Sequence, residues 1–222
     1  IKISKTGKWF LGGKLINQTK ALKSCDVVFN ALHGSFGEDG KVQTILENAG
    51  EKYTGSGIAA SALAMNKFQS REIFKLAGLN TPKTLKLKKG ENFSAQLNFF
   101  VNKIAKFPVV VKPCSNGSSV GVQIADNPKK LSKAVAEAFL IDTEVLIEEF
   151  IKGRELTCGV LENNQGVSAL PVTEIIPLKK HKFFNYDAKY KVGHSNEITP
   201  AQIDEEAFKK AQATAVRTHQ VL

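Results

Sequence analysis

The stretch "FPVVVKPCSNGSSVGVQIA", residues 107–125, constrains the fold more tightly than any other part of the chain. Two β-rich runs, "FPVVVKP" and "SSVGVQIA", flank a loop dense in glycine and serine. A P-loop carries Lys-Ser/Thr directly after its second glycine, whereas Val122 follows Gly121 here. A dinucleotide-binding turn opens a helix, but a strand follows this loop, so a helix dipole cannot trap the anion. What remains is a flap joining two antiparallel strands. Its backbone N–H groups and the hydroxyls of Ser115, Ser118 and Ser119 suit it to fold over phosphates.

Lys112 sharpens that reading. Strand alternation puts it on the face of Val110, opposite Val109 and Val111. A lysine ending a buried strand costs desolvation unless an anion meets it. A bound phosphate would meet that demand; so would a protein carboxylate or a snorkelling stem. Further on, "VLIEEFIKGRE" sets Glu148 beside Glu149. Adjacent strand residues point to opposite faces, so the two cannot work as an acid/base couple. One faces a cleft while the other meets solvent, or the strand simply emerges into water.

Around this hairpin the pattern alternates between strand and helix. "CDVVFNALHGSFGEDGKVQTILENAG" reads as a strand over Val27–Leu32, a glycine-rich turn, and a helix capped by Asp39 with Val42, Ile45, Leu46 and Ala49 on one face. With "KYTG" as the next strand this is a β-α-β unit, placing the chain in the α/β class. "SGIAASALAMNKFQSREIFKLAGLNTP" is helical in two pieces, the second capped by Asn66. "TLKLKKG" reads as a short strand and residues 91–106 as a helix. "DNPKKLSKAVAEAFL" is a helix capped by Asn127 with Pro128 at its first position. "EVLIEEFI", "RELTCGVLE" and "VSALPVTEII" are strands, with "NNQG" as a turn between the last two. Residues 177–200 have no regular period, and a loop of that length, with the aromatics of "FFNY", is expected to serve function.

Composition excludes several classes. The 222 residues are 42% hydrophobic, enough for a sizeable core. No apolar run is long enough to span a bilayer, and the first residues lack the apolar core of a signal peptide. Cys25, Cys114 and Cys158 are odd in number and far apart, which fits a reducing compartment and argues against a zinc site. The formal charge of +10 suits a polyanionic ligand. The lysines are scattered and no aromatic-plus-basic RNA motif occurs, which argues against nucleic acid. Both ends read as cut: the chain opens inside a strand and closes in a helix without a C-cap signal.

The stretches "ALHGSFGEDG", "YTGSGIAASALAMNK", "FPVVVKPCSNGSSVGV", "VLIEEFIKGRELTCGVL" and "YDAKY" together resemble the D-alanine-D-alanine ligase family of the ATP-grasp superfamily. They occur in the family's order over residues 26–200. The resemblance implies an α/β chain with an ATP-grasp fold preceded by a partial Rossmann-like N-terminal domain. It implies a substrate-binding part over residues 1–66, a central lobe with the flap over 67–147, and an incomplete C-terminal lobe over 148–222. It also implies a reaction: ATP phosphorylates the carboxylate of one D-alanine, and the amine of a second attacks the acyl phosphate. The product would enter peptidoglycan synthesis.

The resemblance carries roles to particular residues. Lys67 and Lys112 would reach the ATP phosphates. Glu148 would accept from the adenine amino group, Glu149 and Ile151 would offer backbone atoms to the adenine edge, and Glu155 would hold the ribose hydroxyls. Phe183 would pack near the adenine. Lys189 would be carried over the terminal phosphates by the long loop. Ser118 and Tyr190 would join flap to loop by a hydrogen bond, and His33 would lie near the first D-alanine. Tyr190 favours D-alanine over D-lactate as second substrate. The family binds two Mg²⁺ through carboxylates of a C-terminal strand, and no counterpart of that strand or of the family's first glycine-rich strand occurs here. A chain without those ligands is expected to be inactive alone. The resemblance further implies a cytoplasmic homodimer that handles D-alanine and ATP without nucleic acid or membrane partners. A non-catalytic basic binding module is the alternative from another class.

Overall fold

The computed structural model describes residues 1–4, 6–178 and 193–222. They divide into two compact units, Ile1–Met65 and Asn66–Leu222.

The first unit opens with a small antiparallel sheet, β1 (Lys2–Ile3), β2 (Trp9–Leu11) and β3 (Lys14–Ile16). Helix α1 (Gln18–Leu22) follows, with the Asn17 side chain accepting from the Thr19 N–H. Trp9, Ala21, Leu22, Val42 and Leu46 form its core. The last two come from α2 (Lys41–Asn48), and α3 (Ile58–Met65) completes the unit. The strand expected over Val27–Leu32 is reduced to one parallel bridge, Val28 to Tyr53. The Val28 N–H donates to Lys52 O at 2.8 Å and the Thr54 N–H to Val28 O at 3.0 Å. This is the β-α-β relation in minimal form, and Val27 and Phe29 stay exposed beside it. Gly40, not Asp39, caps α2, because its φ of 90° turns the chain into the helix as a side chain could not easily do. Asp39 still accepts from the Lys41 N–H at 3.2 Å.

The second unit is built on a four-stranded antiparallel sheet in the order β4-β7-β5-β6. Helix α4 (Lys67–Leu76) leads into it, capped as expected by Asn66, whose Oδ1 accepts from the N–H groups of Phe68 and Gln69. Strand β4 (Thr84–Lys88) is followed by helix α5 (Ser94–Phe99). The expected single helix over 91–106 instead continues as a π-helical turn, Phe100–Ile104, that buries Phe100 and Val101. Strands β5 (Val109–Pro113) and β6 (Gln123–Ala125) form the anticipated hairpin. The second run is shorter than expected, because Ser118–Gly121 turn with positive φ at three of the four residues.

Helix α6 (Pro128–Ala138), capped by Asn127, lies against one face of the sheet. Its Leu131, Ala134, Val135 and Ala138 pack on Val109, Val111, Val145 and Ile147, the last two from β7 (Glu144–Glu149). The division expected at 147/148 falls inside β7, which pairs with β4 on one side and β5 on the other.

Beyond β7 each expected long strand is broken in two. β8 (Glu155–Thr157) and β9 (Val160–Asn163) are parted at Cys158 and Gly159. β10 (Gly166–Ala169) and β11 (Thr173–Pro177) are parted at Leu170–Val172, where Pro171 has no N–H to give a ladder. β9 and β10 make a hairpin around "NNQG". β11 pairs with β8 and with β12 (Ser195–Ile198), so part of the loop expected over 177–200 is strand. The chain ends in α7 (Glu205–Val221).

Candidate functional site

The face of the sheet opposite α6 is charged. Register sets Glu148 between Thr84 and Val110, and Leu146 between Lys86 and Lys112. Alternation therefore brings Lys86, Lys112 and Glu148 to one surface, with Val109, Val111 and Ile147 on the other. Glu149 points away from Glu148, and its carboxylate accepts from the Lys83 N–H at 2.9 Å.

Glu148 is 2% exposed and is met by two cations. Lys112 Nζ lies 2.6 Å from Oε2, and Arg71 Nη1 bonds Oε1. Of the alternatives left open for Lys112, a carboxylate partner is present. A third cation lies close by. Lys67, one turn before Arg71 on α4, sends its ammonium to the carbonyls of Pro113 and Cys114, each at 3.4 Å, and of Asn116. Among the described residues these four groups carry a formal +2, three cations and Glu148. Burial, with Arg71 and Lys67 close by, pulls the Lys112 ammonium down to about 7. Burial also lowers Arg71. Lys86 lies over the Phe68 ring at 4.4 Å and pairs with Glu144 at 3.0 Å. An anion laid on this surface would relieve the repulsion among the cations.

The flap is tied at its roots. The Ser115 N–H donates to Asp142 Oδ2 at 2.7 Å. The Lys67 N–H donates to Cys114 O at 3.0 Å, and the buried Cys114 thiol donates to Asn66 Oδ1 at 3.2 Å. At the far root, a side chain on Gly121 would come within 2.6 Å of Ile141 Cδ1 and 2.9 Å of Pro113 Cγ. Ser118 and Ser119 between these ties hold φ of 55° and 56°, a left-handed conformation that L-residues adopt only under constraint.

The remaining expected residues are more dispersed. The Glu149 N–H is committed to Lys83 O at 3.0 Å. Ile151, just past β7, is 65% exposed. Glu155 opens β8 opposite Ile175 and is exposed. His33 lies exposed in the glycine-rich turn of the first unit. Phe183, Lys189 and Tyr190 fall outside the described residues. Arg71 was not singled out from the sequence; its four-residue spacing from Lys67 on a capped helix was the available signal. Among the described residues no three His, Cys, Asp or Glu side chains come together as a metal site. Among them also, no helix is long and apolar enough to cross a membrane.

A sheet face carrying lysines and a buried glutamate, next to a glycine–serine flap that bonds Lys67, fits a protein of the ATP-grasp class. Solved structures agree: the D-alanine–D-alanine ligase of Bacillus anthracis superposes with a TM-score of 0.75 at 33% identity, over 91% of this chain and 63% of that one. The VanG D-Ala:D-Ser ligase of Enterococcus faecalis gives 0.75 at 35% identity, over 88% and 56%. Residues 1–56 match the family described as D-ala D-ala ligase N-terminus, and residues 73–222 that described as D-ala D-ala ligase C-terminus. The chain belongs to the D-alanine–D-alanine ligase family. The D-alanine–D-alanine ligase of Halalkalibacterium halodurans is 43% identical over 89% of this chain and 63% of its own length. That of Citrifermentans bemidjiense is 42% identical over 95% and 64%. The chain thus spans somewhat under two thirds of the curated relatives it matches.

Proposed function

We propose that this chain supplies the ATP-gripping part of a ligase that joins two D-alanines through an acyl phosphate, for peptidoglycan synthesis. The observation that carries the reading is the convergence of Lys112, Arg71 and Lys67 where α4, the sheet and the flap root meet. Lys112 and Lys67 take the nucleotide phosphates, and their charge stabilises the transferring phosphoryl group. Glu148 accepts from the adenine amino group. The carbonyl of Glu149 and the backbone of Ile151 meet the adenine edge, Glu155 holds the ribose, and Phe183 packs near the base. Ser118 and Tyr190 close flap on loop, Lys189 comes over the terminal phosphates, and His33 serves the first D-alanine. Closure shields the acyl phosphate from water, where it would hydrolyse.

The reading extends to a cytoplasmic enzyme that acts as a homodimer, without nucleic acid or membrane partners. The unpaired cysteines Cys25, Cys114 and Cys158 support the reducing compartment. Light scattering checks the dimer. Tyr190 in "YDAKY" supports D-alanine as the second substrate. A competition assay with D-alanine, D-serine and D-lactate decides that point.

The test of the reaction is isotopic. The intact ligase to which this chain contributes is given ATP as its magnesium salt and D-alanine labelled with ¹⁸O in the carboxylate. An acyl phosphate route carries one label into the released phosphate. Ligation with unlabelled phosphate would contradict it.

A further inference from the structure

Of the two cations paired with Glu148, Arg71 is the one left without a part in the reading above. We infer that Arg71 is a positioning residue that holds Glu148 ionised and fixed while Lys112 turns to the phosphates, and so sets a preference for a 6-amino over a 6-oxo purine. The inference rests on the proposed reading of Glu148 as the residue facing the base.

The geometry divides the two cations between the two oxygens of one carboxylate. Arg71 takes Oε1 from α4, and Lys112 takes Oε2 at 2.6 Å from β5. Each carboxylate oxygen accepts two hydrogen bonds, so each keeps acceptor capacity for a base. The neighbours of Glu148 across the sheet, Thr84 and Val110, bring no charge. Both of its ion-pair partners among the described residues are therefore the two cations named. They are not equivalent. A guanidinium stays protonated in any protein setting, whereas the Lys112 ammonium is pulled down to about 7 by burial and by its neighbours.

A triphosphate that draws Lys112 away would leave a 2%-exposed carboxylate with Arg71 as its remaining counter-ion. Without Arg71, Glu148 would either hold Lys112 back or take up a proton. A protonated carboxyl gains an O–H donor and can serve a 6-oxo group as well as a 6-amino group. An ionised one accepts only, and it repels a 6-oxo oxygen. Arg71 thus acts through Glu148 and touches neither base nor phosphate.

Calorimetric titration of the chain with ATP and with ITP, its 6-oxo counterpart, tests this. The ratio of the two affinities cancels any change at the phosphates. The unsubstituted chain is expected to favour ATP. Arg71→Met should narrow the ATP-to-ITP ratio about tenfold, the scale of one charge-assisted hydrogen bond, and Arg71→Lys should restore most of it. Should Arg71→Met fail to fold, Glu148→Gln, which keeps the shape and removes the charge, must narrow the ratio to the same extent. An unchanged ratio in the folded Arg71→Met variant, or in Glu148→Gln, overturns the inference and leaves the phosphate site standing. No ATP binding by the unsubstituted chain would overturn the proposed function together with it.

Discussion

The two faces of the β4-β7-β5-β6 sheet are made from the same strands and obey opposite rules. On the α6 side, Val109, Val111, Val145 and Ile147 are fully buried against Leu131, Ala134, Val135 and Ala138. On the other side, the alternate residues Lys86, Lys112 and Glu148 put charge where an ordinary sheet would be apolar or solvated. The first face stabilises the fold, because each buried aliphatic side chain contributes roughly 1.5–3 kcal/mol. The second is retained at a cost, because buried ion pairs recover their desolvation only with good geometry. Under the proposed reading, that cost is kept because the described cations Lys112, Arg71 and Lys67 converge where an anionic ligand would lie.

This contrast can be broken from either side. The largest effect on stability should come from the apolar face. Ile147→Ala should lower unfolding stability by about 2–5 kcal/mol in a denaturant melt, while the fraction still folded keeps its affinity for ATP. A smaller effect is expected at the flap root. Gly121 has φ 74° and no room for a side chain beside Ile141 and Pro113. Gly121→Ala should cost about 1–3 kcal/mol of stability and also weaken ATP binding, because the flap must shift.

The smallest effect, and the most specific, is in pH. Burial, with Arg71 and Lys67 close by, pulls the Lys112 ammonium down to about 7, below the ordinary lysine value of about 10.4. Between those values the unfolded chain holds the proton that the folded chain has released. Stability from this group therefore rises with pH through that window, and its full penalty is present below it. Phosphate binding needs the ammonium and runs the other way. With Arg71, Lys67 and Glu148 as the charged groups facing it, ATP affinity should fall several-fold from about pH 6.5 to about pH 8.5. Titration of Lys112→Met over the same range should show that slope removed.

The comparison also shows which features could be read from residues alone. Alternation along "VVVK" and "VLIEE" fixed which side chains share a face, and the observed burial follows it. Asn66 and Asn127 declared two helix starts through their short side chains. Strand length was less legible. The run at Val27–Leu32 finds one parallel neighbour, and the run ending at Ala169 is interrupted by Pro171. Pairing partners, which sequence periodicity does not encode, decide how much of an apolar run becomes strand. Arg71 escaped notice for a related reason. Its partner Glu148 lies 77 residues away, and only the packing of α4 on the sheet brings them together. The flap showed itself through glycine and serine, but its ties to Asp142 and Lys67 depend on tertiary placement.

The central claim is that the charged face holds phosphate. Its most direct test is the dissociation constant for ATP of Lys112→Met beside that of the unsubstituted chain, both at about pH 6.5 and with folding checked by thermal melt. Losing one charge-assisted contact to phosphate is predicted to weaken binding by roughly tenfold to a hundredfold while Arg71 still holds Glu148. Equal affinities for the two proteins would contradict the account.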